Sequence, residues 1–259
     1  MIQMKKKNEK IYQTTFIDHL TELRSRLIKS FVFLLIFFII CYIFSENIYS
    51  FLVQPYAEAV KDDQLNRRLI FTALQETFLT YLKVAFFAAM FISSPIILTQ
   101  LWKFIAPGLY KSEKRALLPY LIATPTLFLL GGMLVYYLVM PLAIKFFLSF
   151  ETSAGVNSLP IQLEAKVNEY LSLIMRLILA FGISFQLPVL LSLLAKVGFV
   201  DSDYLKSRRK YVIIIIFIVA AILTPPDPIT QIGLGIPLLI LYELSILSVK
   251  IIEKKKKDA

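Results

Sequence analysis

The sequence predicts an all-α membrane protein with six transmembrane helices, and three observations lead to this prediction: the composition, the apolar runs and the placement of the basic residues. Hydrophobic residues make up 58% of the 259 residues and charged residues only 18%, whereas soluble domains are about 45–50% apolar even with glycine counted. A soluble fold could not bury this much apolar surface. We therefore expect a single membrane domain over residues 1–259.

Six apolar runs define the predicted spans, at about 28–44, 78–101, 119–148, 170–195, 211–224 and 232–249. A helix rises 1.5 Å per residue and needs about 20 residues to cross the hydrocarbon core. The fifth run has only 14 residues. We keep it as a span because basic residues and prolines bound it, and because the charge pattern requires it.

The basic residues alternate between the segments that separate these runs. Residues 1–29, 102–118, 196–210 and 250–259 contain 21 of the 28 Lys and Arg residues, whereas 45–77, 149–169 and 225–231 contain four. Cytoplasmic segments of membrane proteins carry such an excess, so both termini are expected in the cytoplasm. Basic clusters at helix ends are typical of membrane anchors, so the net charge of +10 does not indicate nucleic-acid binding.

Prolines inside the runs predict bent helices. Each proline removes a backbone donor and clashes with the preceding turn. The prolines concerned are Pro95, Pro125, Pro141, Pro188 and Pro237. We therefore expect a kinked, cupped bundle rather than a straight parallel one.

The segment before the first run has apolar residues at helical spacing, at positions 16, 20, 23 and 27. It predicts a short amphipathic helix on the bilayer surface, with Thr15 and Asp18 as a capping pair. Glu22 and Arg26 are four residues apart, and composition alone favours an exposed helical ion pair. In the loop 102–118, Glu113 is the only acidic residue among four cations. It is either neutralised locally or faces a cationic partner.

Several classes of function are disfavoured. One Cys and one His leave almost no way to build a metal or haem site, so no metal or cofactor is predicted. No nucleophile, zinc-protease or phosphate-loop motif is present, so no enzymatic activity is predicted. A secondary transporter of a small solute is the alternative, but its repeated halves and midplane site are not seen.

Five segments in register carry a specific resemblance. They are HLTELRSRL at 19–27, Pro55, SPIILTQLWKFIAPGLYKSEKR at 94–115, FGISFQLPV at 181–189 and TPPDPITQ at 224–231. The chain resembles the TatC family, the core membrane subunit of the twin-arginine protein translocase. The resemblance implies a bacterial plasma (inner) membrane protein with six helices and both termini inside.

The resemblance also implies a function and its residues. TatC recognises folded precursors whose signal peptides carry two adjacent arginines, and the proton-motive force drives their transport. Glu22 and Glu113 match the positions that bind the arginine pair, and carboxylates accept guanidinium groups in a two-pronged geometry. Arg24, Pro55 and Phe104 match positions that shape this site.

Further positions follow from the same resemblance. Thr224 and Gln231 match a polar site that docks single-span subunits of the TatA and TatB types, in a complex that also holds further copies of this chain. Asp227 matches a residue with a role in transport.

Gln186 departs from the family's pattern, which typically has Glu at this position, so any mechanism that needs a charge there is in doubt. A glutamine at this depth should find hydrogen-bond partners, such as carbonyls freed about one turn upstream by the Pro188 kink.

Overall fold

The computed structural model describes residues 2–61, 67–105, 114–152, 159–224 and 227–257. Within these residues the chain is almost entirely helical. The helices are α1 Ile2–Ile43, α2 Ser45–Ala59, α3 Glu76–Ile105, α4 Lys114–Leu134, α5 Met140–Leu148, α6 Val167–Ser184, α7 Leu187–Val197, α8 Ser202–Ser207, α9 Arg209–Leu223 and α10 Pro228–Lys257. A π-helical turn, Val135–Val139, joins α4 to α5.

Five helical stretches among the described residues are long and apolar enough to cross a membrane. They are Leu20–Ile43, Glu76–Phe104, Pro119–Leu148, Val167–Val197 and Pro228–Lys254. They correspond to five of the six predicted spans, and the first of these ends at Ile43 instead of residue 44. The remaining one forms α9, whose 15 residues extend about 22 Å at 1.5 Å per residue, short of a core of about 30 Å.

The predicted surface helix over residues 15–27 is wrong as a separate element. α1 runs without a break from Ile2 to Ile43. No glycine or proline occurs between these residues, so nothing ends the helix where the surface segment meets the first span. For the same reason no helix begins at Thr15, and the capping role predicted for it is wrong as well.

Two of the five interior prolines coincide with breaks. Pro188 lies in the first turn of α7, after α6 ends at Ser184. Pro141 follows the π-helical turn, where a wider turn relieves the clash between the proline ring and the carbonyl four residues earlier. Pro95, Pro125 and Pro237 lie within continuous helices.

The core forms around α6. Leu171, Ile174, Leu177 and Phe181 of this helix are fully buried, and they line one face at helical spacing. At Gly131 of α4 a Cβ atom would lie 2.8 Å from the carbonyl oxygen of Phe181. The two backbones therefore approach closely, as small residues permit in membrane helices.

Contacts between distant segments define two ends of the bundle. The first, here called the basic end, holds residues 20–29, 98–105, 119–123, 189–210 and 243–254. There Arg26 contacts Gln100, Trp102 packs on Val189, and Ser202 bonds to Glu253. Eleven of the described Lys and Arg residues lie within these ranges.

The second, here called the cap end, holds α2 with residues 67–75, 149–152 and 159–170. The hydroxyls of Tyr136 and Tyr170 donate to the carbonyls of Phe51 and Leu52, at 2.8 and 3.0 Å. α2 is an element that the sequence analysis missed, because its apolar residues are interrupted by polar ones and never form a run of span length.

Candidate functional site

Glu22 lies on α1 at the basic end, and its carboxylate holds a guanidinium. Arg26, one turn further along, donates from Nε to Oε1 of Glu22 at 3.1 Å and also from Nη2 to the same oxygen. The Nη1 group of Arg26 donates to Oε1 of Gln100 at 3.3 Å. The predicted helical pair is therefore present, and Gln100 ties it to the last turns of α3.

Two of the other predicted residues of this site, Arg24 and Phe104, lie on different helices. Arg24 is exposed on α1, and Phe104 is half-buried in the last turn of α3, one turn beyond Gln100. Glu113 lies outside the described residues. Through Arg26 and Gln100, Glu22 is linked to α3, the last described element before Glu113 in the sequence.

Gln186 lies at the break between α6 and α7 and is buried. Its Nε2 group donates to the carbonyl of Thr124 on α4 at 3.0 Å and, more weakly, to that of Gly182 at 3.4 Å. The backbone N–H of Gln186 donates to Ile183 instead of Gly182, which is what releases the Gly182 carbonyl. The prediction that Gln186 finds hydrogen-bond partners is confirmed for its Nε2 group, with Thr124 as the partner from a second helix, whereas its buried Oε1 has no partner among the described residues.

Asp227 is buried at the start of α10, where it caps the helix. Its carboxylate accepts the backbone N–H of Thr230 at 2.7 Å and also the Thr230 hydroxyl. This geometry satisfies a helix N-terminus. The sequence Asp-Pro-Ile-Thr has the spacing for such a cap and would have allowed this role to be predicted.

Thr224 and Gln231 flank this cap and both bond to the backbone of α9. The Thr224 hydroxyl donates to the carbonyl of Ala220 at 2.8 Å, and Nε2 of Gln231 reaches that of Phe217 at 3.5 Å. Thr224 is buried, whereas Gln231 is half-buried. Of the two side chains, Gln231 is the more accessible.

Pro55 is buried inside α2 at the cap end, so it does not lie beside Glu22, whose site it was expected to shape. The predicted residues thus do not form one site. They occupy the basic end, the α6–α7 break, the α9–α10 turn and the cap end.

The sequence predicts the Glu22–Arg26 pair but not the contact of Arg26 with Gln100, although Gln100 stands within one of the quoted motifs. A single amide side chain in an apolar segment forms no sequence pattern that would mark it. Only the packing of α1 on α3 therefore reveals the contact of Gln100 with Arg26.

Comparisons with known proteins agree over most of the chain. The family model for the Sec-independent protein translocase protein (TatC) matches residues 18–237. A Sec-independent protein translocase protein TatC from Magnetococcus marinus is 48% identical over 93% of this chain and 86% of that protein. Its namesake from Rickettsia prowazekii is 46% identical over 92% of this chain and 94% of that protein.

A crystal structure described as the twin arginine translocase receptor TatC has a similar fold. Its TM-score is 0.76 at 38% identity, and the match covers 91% of this chain and 99% of that chain. The alternative of a small-solute transporter receives no support from these relatives.

Proposed function

The chain belongs to the TatC family, and from this premise we propose that it binds twin-arginine signal peptides of folded precursors at its basic end. Together with single-span subunits of the TatA and TatB types, it mediates the transport of those precursors across the membrane. It acts by binding rather than by catalysis.

The observation that carries the proposal is the Glu22 carboxylate holding the Arg26 guanidinium. A carboxylate already oriented toward one guanidinium is suited to a second, since each oxygen can accept more than one hydrogen bond. Glu22 is also only half-buried, so a peptide can reach it. In this proposal Glu113 supplies the second carboxylate, while Arg24 and Phe104 border the site.

The arrangement in the membrane follows from the charge pattern. The basic end faces the cytoplasm of a bacterial cell, with both termini there and α9 as a short sixth span. Gln231, with Thr224 behind it, docks a single-span subunit, and Pro55 and Asp227 hold the cap end and the α9–α10 turn in shape. Several copies of the chain work in one complex.

Binding of a fluorescent twin-arginine signal peptide to the full chain in detergent tests the proposal. Glu22→Gln and Glu113→Gln should each weaken binding by about 1.5–3 kcal/mol, the scale of a hydrogen bond to a charged group. A twin-lysine peptide should bind the unaltered chain less well, because lysine lacks the planar fork.

Glu243→Gln is the matched control. Glu243 also pairs with an arginine at the basic end, at 2.6 Å from Nη2 of Arg209, but it is remote from Glu22 in the sequence and in no proposed contact with the peptide. Equal losses in all three variants, or unchanged peptide affinity with lost expression in Glu22→Gln and Glu113→Gln, would contradict the assignment.

A further inference from the structure

A cavity of about 450 Å³ opens at the basic end, where α8 and α9 meet α10. Its walls include Tyr204, Arg208, Tyr211, Val212, Ile215 and Tyr242. The hydroxyl of Tyr242 donates to the carbonyl of Leu205 at 2.8 Å, so one wall is fixed by a hydrogen bond between α10 and α8. None of these residues belongs to the site proposed for the signal peptide.

The Arg208 guanidinium in this cavity packs against tyrosine rings. The guanidinium carbon of Arg208 lies 5.4 Å from the centre of the Tyr204 ring and 5.8 Å from that of Tyr211. The ammonium of Lys210 lies 5.1 Å from the Tyr211 ring. Such contacts orient a cation without neutralising it, so Arg208 keeps its full charge and its donors for a ligand.

The acidic residues around the cavity are engaged elsewhere. Asp201 caps α8 through the N–H of Tyr204 at 2.6 Å, and Asp203 pairs with Lys206 at 2.9 Å. Glu243 pairs with Arg209, and Glu253 accepts both the N–H and the hydroxyl of Ser202. Among the residues that the structure describes, no carboxylate pairs with Arg208 or Lys210. The cavity therefore favours an anionic ligand.

The lining changes from polar to apolar along α9. Arg208 stands just before the helix, Tyr211 and Val212 in its first turn, and Ile215 a turn further. Seven residues of helix correspond to about 10 Å, the depth over which a bilayer changes from headgroups to acyl chains. Ile215 is 55% exposed, so this wall is open to lipid.

We propose that this cavity binds one anionic phospholipid. Its phosphodiester lies on Arg208, with Lys210 beside it, and its first acyl-chain carbons lie along Val212 and Ile215. Basic pockets between membrane helices favour such headgroups, and tyrosine rings suit the interface between water and hydrocarbon. A free phosphate ion would satisfy Arg208 but would leave the apolar wall unused.

Lipid binding to the full chain in a neutral detergent, followed by native mass spectrometry, tests this inference. The probes are phosphatidylglycerol, phosphatidylethanolamine with the same chains, and inorganic phosphate. Phosphatidylglycerol should bind about fivefold more tightly than phosphatidylethanolamine, and inorganic phosphate should not displace it. Arg208→Gln should lower the phosphatidylglycerol affinity about fivefold, the scale for one basic residue near an anionic lipid.

Three further variants make the result specific. Arg208→Lys keeps the charge and should retain most of the affinity, which separates charge from folding. Lys254→Gln removes an exposed cation at the same end and should change nothing. Ile215→Trp fills the apolar wall and should lower phosphatidylglycerol binding with the charges intact. Wild-type affinity in Arg208→Gln or in Ile215→Trp, or equal binding of both lipids, would overturn the proposal.

Discussion

At the scale of single residues, Arg26 presents to Glu22 the same functional group that a twin-arginine peptide presents. The contact is intramolecular, and it uses Nε and Nη2 of Arg26 on one carboxylate oxygen. A peptide arginine must therefore share the carboxylate with Arg26 or displace it. Under the proposed function, Arg26 is an internal competitor that lowers the affinity for any single cation.

Arg26→Gln should accordingly tighten binding of a twin-arginine peptide by about two- to fivefold, which matches the modest strength of a partly exposed ion pair. Peptide titration of the purified chain measures this. Lys29→Gln, which removes an exposed cation one turn further along α1, corrects for the general loss of positive charge. Weaker binding in Arg26→Gln than in Lys29→Gln would show that Arg26 orients Glu22 instead of competing for it.

Gln186 links two helices through a neutral side chain. Its Nε2 group bridges the α6–α7 break to α4 through the carbonyl of Thr124. This geometry requires a hydrogen-bond donor at position 186. A protonated carboxyl group also donates a hydrogen bond, and burial in an apolar region favours that neutral form.

We therefore expect Gln186→Glu to retain transport and Gln186→Leu to reduce it, since leucine leaves the Thr124 carbonyl without this donor at a cost of about 1–3 kcal/mol. Export of a twin-arginine reporter protein, normalised to the amount of each variant in the membrane, is the measurement. Full export by Gln186→Leu would mean that this position matters only to packing.

At the scale of elements, the crossing of α4 and α6 depends on glycine. The backbone of Phe181 is so close to Gly131 that no Cβ atom fits without moving one helix. Because α6 carries the most deeply buried residues of the core, a shift of this crossing disturbs both the core and the Gln186–Thr124 bridge.

Gly131→Ala is predicted to destabilise the protein by about 1–3 kcal/mol, the usual cost of overpacking. Gly233→Ala is its control, because the nearest atom to a Cβ there is a Val139 methyl at 3.5 Å, and alanine is the better helix former by about 1 kcal/mol. Thermal unfolding in detergent compares the two. Similar midpoints for both variants would mean that α4 and α6 can separate without loss.

At the scale of the whole molecule, one ion pair closes the cap end. Arg67 and Glu151 are 84 positions apart, and both guanidinium Nη groups donate to the carboxylate, at 2.7 and 2.6 Å. Glu151 also accepts the backbone N–H of Leu163 at 2.7 Å. Arg67 above all, together with this N–H, holds the pKa of the Glu151 carboxyl below its usual value.

A carboxyl group whose pKa is lowered by folding stabilises the protein above its unfolded pKa, and this stability is lost as the pH falls through the folded pKa. Glu151→Gln should therefore lower the free energy of unfolding by about 1.5–3 kcal/mol at pH 7. The difference from the unaltered chain should shrink below about pH 4. Thermal unfolding across pH 3–7 measures this difference.

Glu46→Gln, which changes an exposed carboxylate on α2, is the control and should stay within about 0.5 kcal/mol of the unaltered chain. A pH-independent difference for Glu151→Gln would contradict the ion pair's role.

The sequence by itself determined the class of protein, five of the spans and the family. Apolar runs and basic segments can be read from one stretch of sequence at a time. A helix in lipid must satisfy its own backbone hydrogen bonds, so its apolar run is needed whatever helices surround it. The continuous α1 could have been read in the same way from the lack of glycine and proline across residues 2–43. α2 could not have been predicted in this way, because its polar residues resemble those of a loop. Its apolar side chains are buried only where they pack against α3 and the other segments of the cap end.

Only the tertiary structure decided which polar groups meet. Gln100 receives Arg26 from 74 positions away, Gln186 reaches Thr124 across 62, and Arg67 reaches Glu151 across 84. Such pairs depend on the crossing of helices, which is set by packing volumes and close approaches such as Gly131 on Phe181. No spacing within one segment encodes these crossings, because the side chains that fix them belong to different helices.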